Sequence, residues 1–221
     1  MRSIIGIIAL LLLHLPALAQ QTYRIQGRID SLAGSPTVYL KKQDNSRGRM
    51  MTVATTKAGN GQFSFQQAVP EPDYYTVSID GMPGQISFIL DGDVTITSAA
   101  KDLRMAEVSG SRLTDAWKAY QNEVERPYRD QLMTIYNQRQ QASGDAAVAE
   151  RVQADEKRLK AEHLRNVAAR IREQPSSPLS LFLLNGSWNE FPKDEARSLF
   201  NGLDTALKTH SVGKRLARQL Q

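Results

Sequence analysis

A change of period near Ser111 constrains this chain more than any other feature. From Tyr23 to about Ser109 polar and apolar residues alternate, whereas from Ser111 onward apolar residues recur every three or four positions. Alternation puts the apolar residues on one face of a strand, and the wider spacing gathers them on one stripe of a helix. Two such blocks in succession predict an α+β chain: an N-terminal antiparallel β-sandwich followed by an all-helical C-terminal region. The expected organisation is a leader at 1–19, the sandwich at 20–110 and the helical region at 111–221.

The strand block reads as TYRIQGRI, TVYLKK, MMTVATT, QFSFQQAV, YYTVSID, QISFIL and VTITS. In the first of these, Tyr23, Ile25, Gly27 and Ile29 share one face. Turn chemistry separates the runs at Ala33-Gly34-Ser35-Pro36, Asp44-Asn45-Ser46-Arg47-Gly48, Gly59-Asn60-Gly61, Gly81-Met82-Pro83-Gly84 and Asp91-Gly92-Asp93. Short strands divided by turns in this way predict a sandwich.

The helical block opens with Ser111 or Thr114 as N-cap and a stripe of Leu113, Trp117, Tyr120 and Val124. Pro127 cannot donate a backbone hydrogen bond, which predicts a kink or two consecutive helices. Leu132, Ile135 and Tyr136 continue the apolar face beyond it. After a turn at Ser143-Gly144-Asp145, the residues Val148, Val152, Leu159, His163, Val167 and Ile171 mark a long charged helix folded back as a hairpin. Shorter helices are expected after Ser177-Pro178, after Pro192 and from Ser211.

Residues 1–20, MRSIIGIIALLLLHLPALAQ, pair Arg2 with an apolar run from Ile4 to Leu13 and with Ala17-Leu18-Ala19. That is the pattern of a secretory signal cut after Ala19, and its run is shorter than the roughly 20 residues a membrane span needs. The expectation is an exported protein, periplasmic or secreted, with no stable membrane span after cleavage. The chain has no cysteine, so it forms no disulfide and hosts no Cys-X-X-Cys centre. Its 28 basic and 23 acidic residues are interspersed, as in RVQADEKRLKAEHLR, without the basic stripe and interleaved aromatics of a nucleic-acid binder.

Each candidate for chemistry has a plainer explanation. His163 and His210 stand in no zinc-binding spacing, so no metal is assigned. Asp91-Gly92-Asp93 lacks the length of a calcium loop and reads as a hairpin turn. No carboxylate pair can be nominated for acid–base work, and no Gly-X-Ser-X-Gly elbow occurs; Ser109-Gly110-Ser111 reads as a helix cap. No catalytic residue and no cofactor is expected. Among Phe63, Phe65, Tyr74, Tyr75 and Phe88, one parity faces the core and the other faces outward. Tyr74 and Tyr75, with Trp188 and Phe191 flanking Pro192 and covering the sandwich, are the candidates for an interaction surface.

The segments YRIQGRID, TVYLKK, GNGQFSFQQAVPEPDYYTVSID, ISFILDGDVTITS and VSGSRLTDAWKAYQNEV, in this order, carry a family resemblance. Together they resemble the uncharacterised N-terminal domain that precedes thioredoxin-like domains in exported thiol:disulfide oxidoreductases of the TlpA, ResA and AhpC/TSA type. In that family the strands read I-x-G-x-I, V-Y-L, G-x-F-x-F-x-G as a hairpin and P-x-x-Y-x-L, before F-x-L-E-x-G-x-I-x-I as a second hairpin and a V-x-G-S step into helices. Asp91 stands where the family has its glutamate, and no Trp-Cys-X-X-Cys motif occurs in the 221 residues. The resemblance implies a non-catalytic binding or accessory domain in a redox setting. Its partner would be a thioredoxin-like protein, a client protein or a second copy of itself. The alternatives are a truncated fragment of such an oxidoreductase and a sandwich that binds a small ligand or glycan through outward aromatics.

Overall fold

The computed structural model describes residues 21–30, 32–44, 49–99, 101–141 and 145–221. The expected leader, residues 45–48 of the turn expected after Asp44, and Ser143 and Gly144 of the turn expected before Asp145 lie outside them. Eight strands run β1 (Gln21–Ile29), β2 (Thr37–Asp44), β3 (Arg49–Lys57), β4 (Gln62–Val69), β5 (Asp73–Ile79), β6 (Ile86–Leu90), β7 (Val94–Ser98) and β8 (Glu107–Ser109). Sheet A has the order β4-β1-β7-β8 and sheet B the order β3-β2-β5-β6. Ile25, Ile29, Phe63, Phe65 and Ile96 from sheet A meet Val38, Leu40, Tyr75, Val77 and Phe88 from sheet B in one buried core. The chain is therefore α+β with an N-terminal sandwich.

Two expectations about its wiring need correction. The sandwich is not wholly antiparallel, because β1 and β7 pair in parallel with Ile25 opposite Val94. Period two fixes which face a residue occupies and leaves strand direction open. The turns at Gly59-Asn60-Gly61 and Asp91-Gly92-Asp93 do not close hairpins. The first carries the chain from β3 in sheet B to β4 in sheet A, the second from β6 to β7. Turn residues reverse the chain, and the partner of the next strand is chosen by packing. Asn60 and Gly61 have φ of 51° and 74°, which lets Gly61 bring its carbonyl to the amide of Ile29 at 2.8 Å.

The helices are α1 (Arg112–Tyr120), a π-helical turn (Gln121–Glu125), α2 (Arg126–Gln141), α3 (Ala146–Glu173), α4 (Pro178–Ser187), α5 (Lys193–Gly202), α6 (Thr205–Thr209) and α7 (Ser211–Gln219). Pro127 is the second residue of α2, and the wider π turn stands immediately before it. A missing donor relieved by local rewinding is a known origin of such turns. Asp145 caps α3, whose Val152, Leu159, Val167 and Ile171 are buried. Leu132 and Ile135 of α2 are half-buried, while Tyr136 is exposed.

The helices lie on the far side of sheet B. Neighbours Tyr74 and Tyr75 point to opposite sides of β5. Tyr75 pairs with Phe88 across the ladder and stacks on it inside the sandwich, at 6.5 Å between centroids. Tyr74 pairs with Ile89, and both enter a second core with Tyr120, Val167, Ile171, Leu181, Phe182, Leu184, Phe191 and Leu199. Sheet B is thus the middle of three layers.

The join is polar as well as apolar. β6 is an edge strand, and the groups of Ile89 that a further strand would bind are taken by α1. The amide of Ile89 donates to Thr114 Oγ1 at 2.9 Å, and its carbonyl accepts from Ser111 Oγ at 2.6 Å. Ser111 also caps α1 by accepting from the amide of Thr114. Lys118 Nζ reaches the carbonyl of Val108 on β8 at 2.6 Å. Helix α1 in this way closes the β6/β8 side of the sandwich.

Thr114→Val keeps the shape but strands a buried N–H, and is expected to lower stability by about 2 kcal/mol relative to Thr114→Ser. Urea unfolding of the two variants checks this, and equal midpoints would remove the hydroxyl from the account. A second tie lies at the other end of the helical unit. His210 is buried, and its Nδ1 accepts from the amide of Val212, capping α7. Its Nε2 therefore carries the hydrogen and donates to the carbonyl of Pro72 at 2.9 Å.

Candidate functional site

The four aromatics nominated from sequence do not form one exposed patch. Tyr75 belongs to the sandwich core and Phe191 to the helical core. Tyr74 is covered edge-on by Trp117 and tilted against Phe182, with ring centroids at 5.7 and 4.9 Å. Burial, reinforced by the Asp73 charge, pushes its phenol above the ordinary range. Trp188 is half-buried against the helical core. The outward parity of β5 is outward only from the sandwich, and the helices turn that face into an interior.

The other residues weighed from sequence are also placed. Asp93 accepts from the amide of Arg24 at 2.8 Å, and Asp91 accepts from that of Leu113 at 3.3 Å. The two carboxylates serve different elements instead of converging on an ion. Among the described residues no group of three or more His, Asp or Glu side chains is placed to hold a metal. No helix among them is long and apolar enough to cross a membrane.

His163 on α3 sits beside the π turn. Its ring stacks on Tyr128 with centroids 4.0 Å apart and planes 11° apart. Its Nε2 lies 3.6 Å from Glu125 Oε1, the atom that accepts from the Tyr120 hydroxyl at 2.5 Å. Nδ1 is buried with no hydrogen-bond partner. Burial pulls the imidazole below its usual pKa, against the opposing charges of Glu125 and Glu190. A shallow pocket of 120 Å3 opens here, lined by residues that include Glu123, Tyr128, Glu162 and Asn166.

A depressed histidine favours folding while it is neutral. That contribution is present above the ordinary value of about 6.5 and is lost as pH falls through the folded value. His163→Phe retains the stack and removes the orphaned nitrogen. It is expected to be at least as stable as the parent at pH 7.5, with a lead that widens at pH 5. Urea midpoints at the two pH values decide it, and a lead that does not change between them would refute the titration.

The most distinctive exposed feature is one that the sequence reading passed over. β3 is the outer strand of sheet B, and among the described residues no strand pairs with its free side. Met50, Met51 and Val53 stand 52%, 47% and 37% exposed on it. A bulge falls here, since Leu40 faces Ala54 and Lys41 faces Thr52, leaving Val53 without an opposite number. Beside the strand lies a pocket of 350 Å3 lined by Lys42, Gln43, Asp44, Met51, Val53, Glu71 and Ser211. On β4, the adjacent open edge, the exposed residues include Gln62, Ser64 and Gln66. The signal available in the sequence was MMTVATT itself, an uncharged run that opens on two adjacent methionines.

This arrangement can offer unpaired main-chain groups, flexible thioether side chains and a flanking pocket. It has the parts of a strand-addition site, in which main-chain bonds supply affinity and pockets supply selectivity. In comparisons with known proteins, no curated protein and no solved structure matches the chain. Residues 23–117, from the first strand through the cap Ser111 and the Thr114 and Trp117 of α1 that seal sheet B to the helices, carry a domain of unknown function, DUF4369.

Proposed function

We propose that this chain is an exported, non-catalytic binding module that engages an extended polypeptide of a protein partner along β3. The observation that carries the reading is the open β3 edge with Met50, Met51 and Val53 exposed on it, while the β6/β8 side of the same sandwich is closed by α1. The pattern of residues 1–19 supports export. The resemblance to domains that precede thioredoxin-like folds supports a thiol-redox setting. With no cysteine in the chain, any thiol chemistry belongs to the partner. The glycan reading leaned on Tyr74 and Tyr75, whose rings are taken up in the two cores.

Site-specific photo-crosslinking in the producing cells tests the proposal. A photoreactive residue at Met51 is expected to capture one discrete exported protein that the same residue at Gln66 on β4 does not. A captured protein with a Cys-X-X-Cys motif would support the redox setting. Identical adducts at both positions, or none at Met51, would sink the site.

A further inference from the structure

We infer that the segment received by β3 is acidic at its ends: an extended stretch of uncharged residues bracketed by two carboxylates about eight positions apart. This rests on the strand-addition reading above.

β3 begins at Arg49 and ends at Lys57, and the seven residues between, MMTVATT, carry no charge. The strand therefore presents one cation at each end and none in its middle. A strand added at the free edge places its residues directly opposite, where unlike charges attract and like charges repel. The inner neighbour already follows this rule, because Asp44 of β2 faces Arg49 in the ladder. At the other end Lys57 is opposite Thr37 and donates to its hydroxyl at 2.8 Å, a neutral partner, and among the described residues no carboxylate pairs with its ammonium.

The same pattern argues against a second copy as the occupant. Antiparallel self-pairing centred on Val53 would set Arg49 against Lys57 twice, with no acid on either strand to relieve it. An acidic segment meets both cations, while its apolar residues lie against Met50, Met51 and Val53. Charged residues and bulges commonly guard free edges against indiscriminate pairing. On β3 the charges stand only at the ends, so they select the incoming strand while the middle remains open to it.

The test uses the full chain and two blocked nine-residue peptides of alternating valine and threonine, one ending in glutamate at both ends and one in lysine. Affinity is read by NMR titration and location by slowed amide exchange. The glutamate peptide is expected to bind about tenfold more tightly, to protect β3 amides, and to lose most of that preference in about 1 M salt. Lys57→Glu, at an exposed strand end, is expected to shrink the preference. Equal binding of both peptides with β3 protected would overturn the acidic assignment and leave strand addition standing. No protection of β3 by either peptide would overturn both. Protection of β3 that grows with protein concentration, without peptide, would identify a second copy as the occupant and overturn the inference.

Discussion

Gly27→Val is expected to lower the stability of this protein by about 3 kcal/mol, the upper end of the usual cost of overpacking a core. Gly27 lies on β1, flanked on both sides within sheet A, and the Phe63 ring of β4 lies directly over it. A Cβ at this position would stand 2.0 Å from Cζ and 2.1 Å from Cε1 of that ring. Phe63 is itself buried and meets Phe65 edge-on at 5.9 Å, so displacing the ring disturbs the packing of the sandwich core. The glycine is required by close approach, with no unusual backbone angle involved. Phe63→Leu removes the atoms that clash. In a double-mutant cycle the two changes should be less harmful together than their sum, by about 1–2 kcal/mol. Strict additivity in urea unfolding would show that the ring does not oppose the new side chain.

Lys42→Met should be the next most damaging, at about 2–3 kcal/mol, because it removes a cation that stands in direct contact with a buried carboxylate. Asp73 is 3% exposed, and its Oδ2 lies 2.9 Å from Lys42 Nζ, which also stands 5.6 Å from the centre of the Tyr75 ring. Adding Asp73→Asn removes the buried negative charge that Lys42 offsets while keeping an acceptor for the amide of Tyr74, and should restore most of the loss. Burial alone would lower the lysine pKa, but the hydrogen bond and charge of Asp73 outweigh it and the net direction is upward. A raised folded value means that the contribution is fully present below the unfolded value of about 10.4 and disappears as pH rises through the folded one. The stability gap between parent and Lys42→Met is therefore expected to hold at pH 7 to 9 and to close in stronger alkali. A gap that persists unchanged there would show that the lysine acts through its packing and not its charge.

Part of this protein was legible residue by residue. The alternation of Ile25, Gly27 and Ile29, and the spacing of Val152, Leu159, Val167 and Ile171, are local consequences of pleat and helix geometry. The structure carries them in the same places. Ser111, Asp145 and Ser177 act as N-caps because a short side-chain oxygen next to a helix start needs only its own neighbours to bond. The family-like order of segments from YRIQGRID onward also runs through the region matched at 23–117.

What the sequence alone determined, then, was which residues form strands and helices and which face of each is apolar, since these depend on interactions a few residues apart. Only the tertiary structure decided the rest. It set β1 beside β7 in parallel, because pairing between strands some 70 residues apart leaves no mark on the period of either. It turned Tyr74 from an outward aromatic into part of a core, because a face is outward only until another layer covers it. It also placed MMTVATT at a free edge, since whether a strand is central or terminal is a property of its neighbours and not of its own residues.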